Sequence, residues 1–169
     1  MSGHSKWSTI KHKKALTDKK KGQIFSKLSR LVTLAAKKGT DPKSNPSLSQ
    51  AIENARAMNM PNDNIERAIK KVSDKNQAQL EELSVEALGP GGVALKIQAI
   101  TDNRNRTMSE IKKILSENGS KLVQPGSLSW MFNQPVNLDD TPLLEQLDKL
   151  FEALDDQDEV ENVSSNLKE

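Results

Sequence analysis

The chain has no cysteine and no tyrosine, and aromatic residues make up only 3% of its 169 positions. Without thiols there are no disulfides, thiolate-bound zinc sites or cysteine nucleophiles, and a reducing, cytoplasmic compartment is the expected location. So few aromatics leave Leu, Ile, Val and Ala to fill any core. No window approaches the roughly 18 apolar residues of a membrane span, and the opening MSGHSKWSTIKHKKAL lacks the apolar run of a signal peptide, so no membrane association is expected. Histidine is as scarce, with His4 and His12 both near the start. Neither H-E-x-x-H nor G-x-S-x-G occurs, and Asp155, Asp156, Asp158 and Glu159 read as a solvated turn rather than an acid/base pair held in a pocket. The expectation is a non-enzyme with no catalytic residues, no metal, no cofactor and no small-molecule substrate.

Charge, by contrast, is abundant and unevenly placed. Hydrophobic residues at 34% and charged residues at 28% describe a chain that folds. The formal net charge of +2 conceals segregation. Residues 1–38 hold ten Lys and Arg30 against the single acid Asp18, whereas residues 135–169 hold eleven acids against Lys149 and Lys168. A basic segment this dense repels itself unless a polyanion neutralises it. Nucleic acid is therefore the expected partner, because each neutralised phosphate releases counterions and adds a salt-sensitive increment of affinity. The candidate contacts are His4, Lys6, Trp7, Lys11, His12, Lys13 and Lys14, followed by Lys19, Lys20, Lys21, Lys27 and Arg30. Trp7 adds a flat face on which an unpaired base can stack.

Apolar spacing predicts an α+β protein: an N-terminal basic arm and three-helix bundle, then a two-layer domain. Residues 1–22 have no sustained apolar period and read as a partly extended arm. Ile24, Phe25, Leu28, Leu31, Val32 and Ala35 form one helical face that stops at Gly39. Asn45-Pro46 opens a second helix with Leu48, Ala51, Ile52, Ala55 and Met58 inside, and Pro61 to Asp63 opens a third with Ile65, Ala68, Ile69 and Val72. Stripes of this kind are hidden by packing against one another, which makes residues 23–73 a bundle. Residues 74–80 read as a polar linker.

From residue 81 the period changes from 3.6 to 2, and residues 81–169 form the second domain, with its acidic C-terminus. Val85 and Ala87 lead into Gly89-Pro90-Gly91-Gly92, and Val93, Leu95, Ile97 and Ala99 follow, which predicts a hairpin. A nucleotide-binding loop is rejected because no Gly-Lys-Ser/Thr opens a helix there. Thr107 to Glu110 matches a capping box for a helix bearing Met108, Ile111, Ile114 and Leu115. Leu128, Trp130 and Phe132 alternate as a strand, Thr141-Pro142 starts a helix, and Val160 to Ser165 closes as a weaker strand. The order β, β, α, β, α, β implies an antiparallel sheet with two helices on one face. Arg104 and Arg106 stand before a helix N-terminus able to receive an anion, while Asp102 and Asn103 shape a turn there.

Four segments, GHSKW…IKHKK, NMPNDNIERAIKK, GPGGVALKIQAITDNRNRTMSEIKKIL and SLSWMF, together resemble the YebC/PmpR family, which includes the mitochondrial translational activators of cytochrome c oxidase. The resemblance runs from Met1 to roughly Phe132. It implies a helical bundle, a central α/β domain and, in most members, a further domain inserted in the central one, for which only about ten residues remain here, so the chain resembles a short form. It also implies regulation of transcription by DNA binding, or of translation on the ribosome, with no enzymatic activity. Carried over by position, the GHSKW and IKHKK residues are one contact set and Asn103, Arg104, Asn105 and Arg106 a second. Ala87-Leu88 departs from the Gly-Tyr that members often carry before GPGG. Ribosomal RNA is the preferred target and duplex DNA the alternative.

Overall fold

A computed structural model of the chain describes residues 18–74 and 79–168. Two compact units divide between Glu81 and Glu82.

The first unit is helical. Helix α1 covers Asp18–Ala36, α2 Pro46–Ala57 and α3 Asn62–Lys70, and α1 packs on both of the others. Ile24, Leu28, Val32 and Ala36 on α1 meet Leu48, Ala51, Ile52 and Ala55 on α2 and Ile65 and Ala68 on α3, an aliphatic core as the composition requires. Two polar side chains complete it. Buried Asn45 accepts from Leu48 N at 3.2 Å as the N-cap of α2, and its Nδ2 donates to Ala35 O and Gly39 O, each at 2.8 Å. One amide thereby satisfies orphan groups at the start of one helix and beyond the end of another. Thr33 Oγ1, also buried, lies 2.7 Å from Ala68 O and ties α1 to α3. Of the arm predicted over 1–22, residues 18–22 are helical, because Lys19, Lys20 and Lys21 are good helix formers that extend the turn before Ile24.

The second unit is a four-stranded antiparallel sheet in the order β3-β1-β2-β4, formed by β1 Glu81–Leu88, β2 Ala94–Thr101, β3 Lys121–Val123 and β4 Val160–Ser165. Helices α4, Arg104–Glu117, and α5, Thr141–Asp156, cover one face. Leu83, Val85 and Ala87 alternate with outward residues on β1, as do Leu95, Ile97 and Ala99 on β2, and the inward set packs against Ile111, Leu115, Leu147, Leu150, Phe151 and Leu154. At the hairpin turn Gly91 has φ 74° and an added Cβ would lie 2.9 Å from a Leu138 methyl, so glycine is needed there on both counts.

Two further sequence expectations need correction. The alternation of Leu128, Trp130 and Phe132 makes no strand; the chain turns there and continues as a single 3-10 turn over Met131–Asn133. Glu86 on β1 is the cause: its carboxylate accepts from the backbone N–H groups of Gly126 and Leu128, which are therefore not offered to a ladder. The third strand lies earlier, and its three residues pair with β1 as Glu86↔Val123, Ala87↔Leu122 and Leu88↔Lys121. The second correction concerns α4, which begins at Arg104 with Asn103 as its N-cap, four residues ahead of the capping box read at Thr107. Thr107 lies inside the helix, buried, with its hydroxyl 2.8 Å from that of Thr101.

Candidate nucleic-acid interface

His4, Lys6, Trp7, Lys11, His12, Lys13 and Lys14 lie outside the described residues. The rest of the basic segment is on α1, whose only acid is Asp18. A helix advances 100° per residue, so the Ile24, Leu28 and Val32 stripe leaves Lys19, Gly22 and Ser26 on the opposite side, and all three are exposed. Lys21 is exposed as well, and Lys20 and Arg30 are half-buried. Lys27 is not on this surface. It is only 3% exposed. Charge alone marks it as a contact, whereas burial withdraws it from this surface.

Gly22 is a further feature of this surface. An added Cβ there meets nothing within 4 Å, so the fold has no steric need of glycine in the helix. Gly22→Ala is expected to stabilise the bundle by about 0.5–1 kcal/mol, read as a rise of a few degrees in thermal midpoint. A fall would show that the helix needs glycine at this position.

The second surface is the N-terminal turn of α4, where each residue of the TDNRNRT run has a separate task. Thr101 ends β2 and its Oγ1 accepts from Asn103 N at 2.9 Å. Asn103 Oδ1 accepts from Arg106 N at 3.1 Å, which fixes the first turn. Arg106 is held within the protein: its Nη2 donates to Asp102 at 3.1 Å and to Glu159 in the turn just before β4. The bond to Glu159 first, then that to Asp102, raises the already high pKa of the guanidinium. Gln157 extends the network, donating from Nε2 to Glu110 at 2.6 Å and to Glu159 at 2.7 Å. Arg104 and Asn105 are exposed and carry no such bond. Of the two arginines read as equals, Arg104 is the one free to meet a phosphate. Arg104→Ala is expected to reduce the steepness of the salt dependence of nucleic-acid binding by about one unit while leaving the thermal midpoint unchanged. An unaltered salt dependence would remove Arg104 from the interface.

Among the described residues no group of His, Asp or Glu is arranged to hold a metal ion. No helix there is long and apolar enough to cross a membrane.

Comparison with known proteins gives a consistent result. The model of the TACO1/YebC protein N-terminal domain matches residues 5–75, and that of the TACO1/YebC second and third domain matches residues 80–136. A probable transcriptional regulatory protein of Chloroherpeton thalassium is 48% identical over 156 residues, 91% of this chain and 62% of the relative. One from Halothermothrix orenii is 52% identical over 136 residues, 79% of this chain and 54% of the relative. The chain thus spans about half to three-fifths of the length of these curated relatives. The crystal structure of a conserved hypothetical protein from Aquifex aeolicus superposes with a TM-score of 0.85 at 29% identity, covering 97% of each chain. With both family models matched in sequence order, relatives near 50% identity and the same fold in a solved structure, the chain belongs to the TACO1/YebC family, the YebC/PmpR family of regulatory proteins.

Proposed function

We propose that this chain is a non-enzymatic, nucleic-acid-binding regulator of gene expression that works as a translation factor, gripping ribosomal RNA through its basic N-terminal segment. The observation that carries the reading is the concentration of charge: ten Lys and one Arg against one acid in residues 1–38. Exposed Lys19 and Lys21 continue that charge onto the surface of α1, and Arg104 and Asn105 supply a second, smaller contact. Chemistry of this kind grips backbone phosphates and reads shape, and carries no base code. A binding role needs no catalytic group, and the polar clusters of the second unit are occupied in tying α4 to β4.

Duplex DNA is the second reading, favoured by the names of the relatives, which are probable transcriptional regulatory proteins. The bundle argues against it. If α2 and α3 acted as a helix-turn-helix, α3 would enter the major groove by its N-terminal residues, yet its exposed positions begin Asn62, Asp63 and Glu66. Two carboxylates facing the groove would repel its phosphate walls. Crosslinking and sequencing of the bound nucleic acid, with ribosome co-sedimentation as companion readout, separates the readings. Enriched ribosomal RNA fragments and migration with ribosomes are expected. Enrichment of promoter duplex from a chain that migrates away from ribosomes would establish the DNA reading instead.

A further inference from the structure

Trp130 is the one large hydrophobic side chain found well exposed among the described residues, at 62%. Its exposure is built into the fold. Two residues before it, Leu128 N bonds to Glu86, and Leu128 is itself buried; one residue after it, Met131 O accepts from Asn166 Nδ2 at 3.2 Å. Asn166 is 1% exposed and also binds Gln134 O at 3.2 Å and Ala94 N at 2.8 Å, so both flanks are bolted to the sheet. The indole is held out between two fixed points.

The surroundings indicate what it meets. From Asn118 to Leu138 the only charged residue is Lys121, in a chain that is 28% charged overall, so no carboxylate of this stretch opposes a phosphate. Ser127, Ser129, Asn133 and Gln134, its neighbours in sequence, are exposed and polar, whereas an apolar partner would need a contiguous apolar patch. Glu86, which anchors the segment, faces away from the helices, and so do exposed Lys96 and Gln98, which alternate with the core residues of β2. A single flat ring on a stretch with no acid of its own, with Lys96 on the same face of the sheet and the Glu86 carboxylate there turned to the backbone N–H groups of Gly126 and Leu128, matches an unpaired nucleobase and its phosphate.

We propose that Trp130 is a stacking platform for one unpaired base of the bound RNA, with Lys96 taking an adjacent phosphate. This rests on the RNA-binding reading above and deepens it, since it requires a single-stranded element in the target. The test is binding of the full chain to a labelled single-stranded oligouridine of about 12 nucleotides and to a duplex RNA of equal length. Trp130→Ala is expected to weaken single-strand binding by roughly tenfold and leave duplex binding unchanged, and Trp130→Phe to restore most of the loss. Unchanged single-strand affinity in Trp130→Ala, or an equal loss on duplex, overturns the proposal. Intact RNA binding combined with lost ribosome co-sedimentation overturns it in favour of a protein contact. A parent chain that binds neither RNA brings down the preceding reading as well, so the two failures are distinguishable.

Discussion

Neutralising six lysines, Lys6, Lys11, Lys13, Lys14, Lys19 and Lys21, to Gln is expected to lower affinity for RNA on the order of 10⁴-fold at physiological salt. The magnitude follows from counterion release. Each lost phosphate contact removes a factor of about four to five near 0.15 M salt, and these factors multiply because each contact releases its own ions. Lys19 and Lys21 are exposed and make no core contact, and surface substitutions of this type usually shift stability by no more than about 0.5 kcal/mol each. Circular dichroism of the parent and variant should coincide, which confirms that the loss is one of binding and not of folding. Filter binding or fluorescence anisotropy reads the loss; affinity within a factor of three of the parent would mean that phosphate is not the counterpart of this segment.

The second large effect concerns stability. Phe151 is fully buried in the core between the sheet and its two helices, where every other buried hydrophobic side chain is aliphatic. Phe151→Ala removes the largest of them and leaves a cavity that its β-sheet and α4 neighbours close only in part. The expected cost is about 3–5 kcal/mol, a large fraction of the 5–15 kcal/mol typical of a whole domain. Thermal denaturation should show the second unit melting some 15–30 °C lower, or already unfolded at room temperature. The helical unit, with its own core of Val32, Leu48 and Ile65, should keep its transition. A loss below about 1 kcal/mol would contradict the packing described.

The helices were legible in the sequence because their stripes are long: Ile24 to Ala36, Leu48 to Ala55 and Leu147 to Leu154 each repeat at 3.6 residues over at least two turns. The hairpin was legible from its glycine turn, and β4 only weakly, from Val160 and Val163. What failed was decided by contacts distant in sequence. Strand β3 has three residues, too few for a period to show, and Trp130 read as a strand residue because nothing local reveals that Glu86, more than forty positions earlier, takes the N–H of Leu128. The start of α4 was misplaced because Thr-x-x-Glu satisfies the local capping pattern, while the Thr101–Thr107 hydroxyl pair that buries Thr107 crosses the strand-to-helix junction. The same limit applied to the candidate site. Charge density does not show that Lys19 and Lys21 are exposed while Lys27 is buried, nor that Glu159, beyond any local window, separates Arg106 from Arg104.

The central claim is electrostatic: a cationic N-terminal segment paired with a chain of phosphates. Equilibrium affinity for a ribosomal RNA fragment, measured from about 0.05 to 0.3 M monovalent salt, tests it most directly. Neutralisation of about six to eight phosphates predicts that log K falls linearly with log salt at a slope on the order of −5 to −7. A slope near zero, with binding intact, would contradict the account.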